Sequence, residues 1–195
     1  MRGGARGTGR GDRGPLVGFY CLLAAGLSLL ASSCGYTATR ILPSYYRTIY
    51  VESFQNRIPI AEDISERTGF ISNYPEIEER VTKEVINRFL FDGNLRVTNQ
   101  PDKADLVLTG YLTDFYRQPI RRKDEDATVE EYRLNLTVSV TLRDKTGKTL
   151  LEQPALIGDT TYSLVGPTAK TETTAVDELV TDFSRRAVEW VIEYW

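Results

Sequence analysis

The sequence predicts an α+β protein in which two helices pack on one face of a mainly antiparallel four-stranded sheet, in the order β-α-β-β-β-α. Three observations indicate this class. One stretch near residue 135 alternates apolar and polar residues with a period of two, as a half-buried strand does. Two other stretches repeat apolar residues every three to four positions, so each forms a helix with a single apolar stripe. A sheet face and two such stripes bury one another in a layered fold.

The first strand is expected at residues 48–54, where the sequence TIYVESF is rich in β-forming residues and places Ile49, Val51 and Ser53 on one face. Residues 55–74 are irregular and charged. A 20-residue loop is unusual inside a compact domain. This segment is therefore either a functional loop or contains a short element.

Pro75 is expected to begin the first helix, because its fixed φ suits the first helical position. The acidic residues that follow complement the positive end of the helix dipole. Asp92 and Gly93 end the helix. Its apolar stripe consists of Ile77, Val81, Val85 and Phe89, with Ile86 and Leu90 beside them.

Three further strands are predicted after a short fragment at residues 95–97. The strand at 105–116 contains Gly110, which indicates a bend or a close backbone approach. The strand at 132–143 has the clearest pattern, and its polar face is expected to meet solvent, a wet cavity or a partner. A turn at 144–148 leads to an edge strand with a bulge within 150–162. The apolar face of the 132–143 strand is Tyr132, Leu134, Leu136, Val138, Val140 and Leu142; its polar face is Arg133, Asn135, Thr137, Ser139, Thr141 and Arg143.

The last helix is expected to begin at Thr174, because Thr174 to Asp177 resembles a capping box. We expect its apolar side chains to cover the sheet rather than to contact lipid. They are Val176, Leu179, Val180, Phe183, Ala187, Val191 and Tyr194.

The first 33 residues have the layout of a secretory signal: a Gly- and Arg-rich start is followed by a 15-residue run without charge. That run is shorter than the roughly 20 apolar residues that a membrane span needs. Small residues then precede Cys34, as in the lipobox of bacterial lipoproteins, although Ala31 stands where a leucine is usual. We therefore expect cleavage before Cys34 and its acylation with diacylglycerol and a further acyl chain such as palmitate. The alternative is an ordinary secretory signal that leaves Cys34 free.

This interpretation divides the chain into a signal peptide at 1–33, a lipidated linker at 34–47 and one α+β domain at 48–195. Gly35, which follows the cysteine in place of aspartate, favours the outer membrane. The chain has 24 basic and 27 acidic residues, of which the signal carries four arginines and one aspartate. The mature part thus has a net charge of −6, which argues against general nucleic-acid binding.

The mature chain offers little catalytic chemistry. It has no histidine, and acylation of Cys34 leaves no thiol, so we expect no metal site and no resident cofactor. The adjacent carboxylates Glu78–Glu79 and Glu130–Glu131 point their side chains apart, so we expect solvated charges rather than an acid–base pair. The sequence therefore predicts that the protein is not an enzyme.

Two loops carry candidate binding residues. Arg121, Arg122 and Lys123 precede the alternating strand, and clusters of this kind can clamp phosphates. The acidic residues at 124–126 favour the alternative of an exposed loop that neutralises itself. Lys170, in the loop at 167–174, is either a second ligand contact or an ordinary solvent-exposed side chain.

The order of elements and several motifs resemble the lipopolysaccharide-assembly lipoprotein family LptE. The residues that carry the resemblance are Cys34-Gly35-Tyr36, TIYVESFQN in the first strand, ADLVLTG from Ala104 to Gly110, EYRLNLTV from Glu131 to Val138, and the final amphipathic helix. The similarity covers essentially the whole predicted domain.

The resemblance implies a lipoprotein at the periplasmic face of the outer membrane that plugs an LptD-type β-barrel, helps to assemble it and binds lipopolysaccharide during export. It also implies that basic residues near the two loops contact lipopolysaccharide phosphates, for which the nearest candidates are Arg121, Arg122, Lys123 and Lys170. Two alternatives stay open. One is an interaction lipoprotein of the curli-secretion or penicillin-binding-protein-activator type, and the other is a lipid or glycan hydrolase built on a convergent carboxylate pair.

Overall fold

Three long strands form most of the sheet of this protein. A computed structural model describes the chain at residues 43, 45–59, 74–123 and 128–193. Cys34, the predicted signal and most of the predicted linker lie outside these residues. The described elements are β1 (Thr48–Val51), β2 (Gln55–Asn56), α1 (Ile77–Asp92), β3 (Arg96–Val97), β4 (Leu106–Arg122), β5 (Val129–Asp144), β6 (Thr149–Ser163) and α2 (Glu172–Glu193), with a 3₁₀ turn at Pro101–Lys103.

The sheet is mixed, so the expectation of a mainly antiparallel four-stranded sheet is wrong, while the α+β class with two helices is confirmed. Its strand order is β3-β1-β4-β5-β6, with β2 paired to β4. β1 runs parallel to β3 and β4, whereas β4, β5 and β6 are antiparallel. The physical reason is α1, which carries the chain back across the sheet so that the next strand runs in the same direction as β1.

The hydrophobic core lies between the helices and one face of the sheet. The alternating pattern of β5 is confirmed, because Leu134, Leu136, Val138, Val140 and Leu142 are all buried. Complete burial of such a side chain contributes about 1.5–3 kcal/mol. The helices supply the other half of the core through residues of their predicted stripes, which are Ile77, Val81, Val85 and Phe89 in α1 and Val176, Leu179, Val180, Phe183, Ala187 and Val191 in α2. Tyr194, also predicted in the stripe of the last helix, lies outside the described residues.

Two glycines let other groups approach the sheet closely. A Cβ on Gly110 would lie 2.1 Å from the ring of Phe54, which confirms the predicted close approach. A Cβ on Gly158 would lie 2.6 Å from the Cβ of Phe183 and 2.9 Å from its Cα, so α2 packs directly on this part of β6. The two phenylalanine rings meet edge to face at 6.2 Å between their centroids. Glycine at both positions therefore brings α2 and Phe54 onto the sheet.

Several predicted boundaries shift. α1 begins at Ile77 after Glu76 rather than at Pro75, although it ends at Gly93 as predicted. α2 begins at Glu172, and the cap is the hydroxyl of Thr171, which accepts the N–H of Thr174 at 3.2 Å. The short element expected within 55–74 is β2, while residues 60–73 lie outside the described part.

β6 forms one edge of the sheet, and its register against β5 shifts near residues 153–156, as the predicted edge strand with a bulge requires. Leu90 is exposed instead of joining the apolar stripe of α1.

Candidate ligand-binding site at the distal end of the sheet

The long strands give the sheet two distinct ends. We call proximal the end at which β1 and β4 begin and β5 ends. We call distal the end at which β4 and β6 end and β5 begins. Thr48 of β1 stands beside Arg96, and Leu106 of β4 stands opposite Asp144 of β5, which defines the proximal end.

The proximal end is held by Asp105. Its carboxylate accepts the backbone N–H groups of Arg47 and Thr48 at 2.9 and 3.0 Å and the hydroxyl of Thr48 at 2.9 Å. The Thr48 hydroxyl in turn accepts the backbone N–H of Asp105 at 2.9 Å. Burial opposes ionisation, but these donors together lower the pKa of Asp105 below its usual value. The Ala104-Asp105 motif thus fastens the start of β1 to the start of β4.

The distal end carries the basic triplet, but two of its three residues lie in a strand rather than in the predicted loop. Arg121 and Arg122 are the last residues of β4, and Lys123 follows directly. Lys123 closes the hairpin by donating its N–H to the carbonyl of Thr128 at 2.9 Å. Arg121 and Arg122 lie in a strand because β4 continues past Pro119, where it still pairs with β5.

Arg121 pairs with carboxylates of the neighbouring strand. Its Nε lies 3.4 Å from Glu130 and 3.6 Å from Glu131, and its side chain remains half-exposed. The predicted neutralising residues at 124–126 lie outside the described part of the chain. Both carboxylates therefore reach one guanidinium, so the expectation that Glu130 and Glu131 point their side chains apart is wrong.

Ser163 brings the second basic candidate to the same end. Its hydroxyl accepts a hydrogen bond from the Arg121 guanidinium at 3.5 Å, and its carbonyl accepts the backbone N–H of Lys170 at 2.9 Å. The Lys170 ammonium binds Glu178 of α2 at 2.5 Å. The structure therefore places the four sequence candidates, Arg121, Arg122, Lys123 and Lys170, at one end of the domain.

The side chains of Arg121 and Lys170 nevertheless lie on different layers. Arg121 stands opposite Glu131, on the sheet face shared by Arg133 and the other polar residues of β5. Lys170 is held by Glu178, which belongs to the helical layer on the other face. A ligand that contacts both must extend around the distal end.

A further cation near this end, Arg117, was not identified from the sequence. Arg117 of β4 binds Glu172, the first residue of α2, at 2.7 Å, and lies 5.0 Å from the ring centroid of Tyr132. Tyr132 stacks on Tyr162 at 5.7 Å, and the Tyr162 hydroxyl lies 3.4 Å from Glu172. Burial and the nearby Glu172 raise the pKa of Tyr162 to about 12. The predicted strand ended at residue 116, so no sequence pattern placed Arg117 on the apolar face of a strand.

Apolar side chains accompany the cations. Ile120, Leu164 and Val165 are all exposed at the distal end. The backbone N–H of Leu164 donates to the carbonyl of Glu130 at 2.8 Å, which fixes this loop beside the start of β5. In the sequence, these exposed apolar residues could have been recognised from Leu164 and Val165, which directly precede the turn-forming Gly166 and Pro167.

The polar face of the sheet lies opposite the helices. Along β5 it is formed by Arg133, Asn135, Thr137, Ser139, Thr141 and Arg143, as predicted. Two tyrosines of β4 join it, because Tyr111 stands opposite Ser139 and Tyr116 opposite Asn135. The Arg57 guanidinium lies 3.4 Å above the ring of Tyr111. This face combines hydroxyl, amide, guanidinium and aromatic groups.

Within the described residues no group of three or more histidine, cysteine or acidic side chains is arranged to hold a metal ion. In the same part of the chain, neither helix has the length and apolar character needed to cross a bilayer.

The match to a known family covers most of this architecture. The model of the family described as LptE, lipopolysaccharide-assembly, matches residues 46–192. The chain belongs to the LptE family. Members of this family are lipopolysaccharide-assembly lipoproteins without enzymatic activity, and their partners are LptD and lipopolysaccharide. The resemblance drawn from the sequence is thereby confirmed.

Solved structures of low identity resemble the chain. A minor lipoprotein from Acinetobacter baumannii is 14% identical, covers 76% of this chain and 94% of its own, and has a TM-score of 0.45. Lipoprotein B from Nitrosomonas europaea is 13% identical over 77% and 81%, with a TM-score of 0.44. Rare lipoprotein B from Shewanella oneidensis is 17% identical over 74% and 91%, with a TM-score of 0.39. No curated protein sequence matches the chain.

Proposed function

We propose that this LptE-family protein is an outer-membrane lipoprotein, anchored through Cys34 at the periplasmic face, which plugs and helps to assemble an LptD-type β-barrel and binds lipopolysaccharide on its way to the outer leaflet. It acts without catalysis or a cofactor. The domain at 48–195 carries both interactions, while residues 1–33 and 34–47 serve export and tethering.

The observation that carries lipopolysaccharide binding is the meeting of cations and exposed apolar side chains at the distal end. Lipopolysaccharide combines phosphates with acyl chains, so it matches a surface that offers both kinds of group. The charged groups of Arg121 and Lys170 are paired with partly exposed carboxylates. Such ion pairs contribute about 0–1 kcal/mol, so a phosphate can replace the carboxylate with little loss of stability.

The polar face of the sheet supports the barrel partner. The lumen of a transmembrane β-barrel is polar, and a plug must present hydrogen-bonding groups to it. The row of hydroxyl, amide and guanidinium groups on β5, with Tyr111 and Tyr116 beside it, meets that requirement.

Alanine substitution of the four distal cations tests lipopolysaccharide binding. The variant Arg121→Ala, Arg122→Ala, Lys123→Ala, Lys170→Ala should bind lipopolysaccharide at least about tenfold more weakly, since one lost charge-assisted hydrogen bond costs about 1.5–3 kcal/mol. The matched control removes proximal cations instead: Arg96→Ala, Lys103→Ala, Lys145→Ala, Lys148→Ala. Binding to immobilised lipopolysaccharide measures both. Unchanged binding by a folded distal variant contradicts the proposed site.

Pull-down of the acylated protein from outer membranes tests the partner. Recovery of a large β-barrel of the LptD type is expected, and depletion of the protein should lower both that barrel and surface lipopolysaccharide. Recovery of a peptidoglycan synthase without the barrel would instead support the activator-type alternative.

A further inference from the structure

Two basic side chains of the proposed lipopolysaccharide site are paired with carboxylates of the protein itself. The Arg121 Nε lies 3.4 Å from Glu130 and 3.6 Å from Glu131. The Lys170 ammonium lies 2.5 Å from Glu178. We call Glu130, Glu131 and Glu178 the distal carboxylates. A phosphate that binds Arg121 and Lys170 must replace them, so ligand and protein compete for the same cations.

The cations of the proximal turns are different. Lys103, in the 3₁₀ turn, and Lys145 and Lys148, in the turn between β5 and β6, are exposed. Within the part of the chain that the structure describes, none of these three lysines forms a salt bridge. Pairing with carboxylates therefore distinguishes the distal cations from the lysines at the opposite end of the sheet.

The distal carboxylates cannot move far from their cations. Glu130 and Glu131 belong to β5, and the Glu130 carbonyl also accepts the backbone N–H of Leu164 at 2.8 Å. Glu178 belongs to α2, and its second carboxylate oxygen accepts the Thr160 hydroxyl at 3.4 Å. A displaced carboxylate therefore remains beside the ligand at a high effective concentration, whereas a free counter-ion would diffuse away.

The charges around Arg121 make the competition strongest there. One guanidinium faces two carboxylates, so one negative charge is left over even when the salt bridges are formed. A phosphate bound to Arg121 lies near both carboxylates, and like charges repel. A unit charge about 7 Å from another in water changes an equilibrium constant about threefold, and salt reduces this effect. The distal carboxylates therefore weaken the binding of a phosphate and favour its departure.

We propose that the distal carboxylates promote the release of lipopolysaccharide from the distal end. As a phosphate leaves, Glu130 and Glu131 re-form the salt bridges with Arg121, and Glu178 re-forms the one with Lys170. The two cations always keep a counter-charge, and the ligand is held reversibly, as a protein that passes lipopolysaccharide on requires. This proposal rests on the proposed function and adds to it the residues that set the dwell time of the ligand.

Neutralising the distal carboxylates measures their role. The glutamine variant Glu130→Gln, Glu131→Gln, Glu178→Gln keeps the size and the hydrogen-bonding capacity of each side chain but removes its charge. Dissociation of the purified protein from immobilised lipopolysaccharide is followed at low ionic strength and without divalent cations, because such cations bridge carboxylates and phosphates. The same lipopolysaccharide, after enzymatic removal of its phosphates, serves as the second surface.

The matched control removes the same number of negative charges elsewhere. Glu52→Gln, Asp102→Asn, Glu193→Gln changes three exposed carboxylates that form no salt bridge within the described residues. A more positive net charge by itself speeds association at long range, whereas contacts at the site determine dissociation. The two variants therefore separate a local competition from a general charge effect.

The glutamine variant should dissociate from lipopolysaccharide at least about threefold more slowly than the wild type, as the loss of one repulsive charge already predicts. On the dephosphorylated surface the two proteins should dissociate at the same rate, and the control variant should match the wild type on both surfaces. Urea unfolding should give similar midpoints, since exposed ion pairs contribute little. Should the glutamine variant not fold, Glu131→Gln alone, which removes the surplus charge at Arg121, takes its place.

Unchanged or faster dissociation of the folded glutamine variant overturns the proposal, and faster dissociation would mean that the carboxylates hold the ligand. Equal slowing in the control variant or on the dephosphorylated surface also overturns it, because the effect would then not be a competition with phosphate at this site.

The alanine variant of the four distal cations distinguishes this proposal from the proposed function. If that variant binds lipopolysaccharide as tightly as the wild type, the proposed site itself fails. If its binding is weakened while the glutamine variant dissociates at the wild-type rate, the site stands and only the role of the distal carboxylates is refuted.

Discussion

The two ends of the sheet both place charged side chains between strands, but they use them differently. At the proximal end, one carboxylate is saturated by two backbone N–H groups and a hydroxyl of the neighbouring strand. At the distal end, Arg117, Arg121 and Lys170 meet carboxylates that water still reaches. A carboxylate satisfied by backbone donors stabilises a fold, whereas an exposed ion pair contributes little and exchanges readily.

The same difference distinguishes the Ala104–Gly110 motif, which has a structural role, from the candidate ligand-binding site at the distal end. The stretch from Ala104 to Gly110, which carries much of the resemblance, performs structural tasks: Asp105 fastens β1, and Gly110 makes room for Phe54. The distal candidates lie outside any such motif. In this chain, the alanine, aspartate and glycine of that strand therefore serve the fold.

Removal of the proximal carboxylate should have the largest effect. Asp105→Ala leaves three donors of Arg47 and Thr48 without their acceptor, and the free energy of unfolding should fall by about 2–3 kcal/mol. Urea unfolding measures the loss. Asp102→Ala, an exposed position in the 3₁₀ turn, is the control and should change stability by less than about 0.5 kcal/mol. A loss of equal size in both variants would contradict the assigned role.

Acid should weaken the same contact. The folded-state pKa of Asp105 lies below its ordinary value of 3.8, so its contribution is complete above that pH and disappears as the pH falls through the folded-state value. The variant Asp105→Asn lacks this contribution. Its urea midpoint should therefore decrease less between pH 6 and pH 3 than that of the wild type. An identical decrease in both proteins would show that the acid sensitivity comes from other carboxylates.

A smaller effect is expected at the Arg117 cluster. Glu172→Gln should cost less than about 1 kcal/mol, because both partners of the ion pair are more than a third exposed. It should also lower the pKa of Tyr162 from about 12, since the Glu172 charge is one cause of its rise. NMR titration of ring-labelled tyrosines follows this change. Glu178→Gln, whose carboxylate faces Lys170 and Thr160, should leave the Tyr162 pKa unchanged.

The smallest effect on stability belongs to Lys170. Replacing it by alanine removes one exposed ion pair with Glu178 and should change the free energy of unfolding by less than about 0.5 kcal/mol. Thermal unfolding of Lys170→Ala beside the wild type checks this. A loss of unfolding free energy above about 1 kcal/mol would show that Lys170 has a structural role. It would contradict the proposed difference between the proximal and distal ends of the sheet.

The sequence predicted helices and strands well where the apolar residues recur with one clear spacing, either every two residues or every three to four. The alternation along β5, the stripe of α1 and the glycine that ends it all follow from the order of neighbouring residues. Leu90 was expected beside the stripe, but it lies about 100° around the helix from the buried Phe89 and is exposed. The cap at Thr171 was missed because Thr174 offers the same hydroxyl three residues later.

Patterns within single segments were enough to predict the α+β class, the apolar face of each long element and the family to which the chain belongs. They could not predict the parallel pairing of β1, the extension of β4 to Arg122 or the contacts that bring Arg121 and Lys170 to Ser163. These features join residues far apart in the chain, and their geometry is set by which strands pair and by the α1 crossover. The residues adjacent in sequence therefore do not predict such long-range contacts.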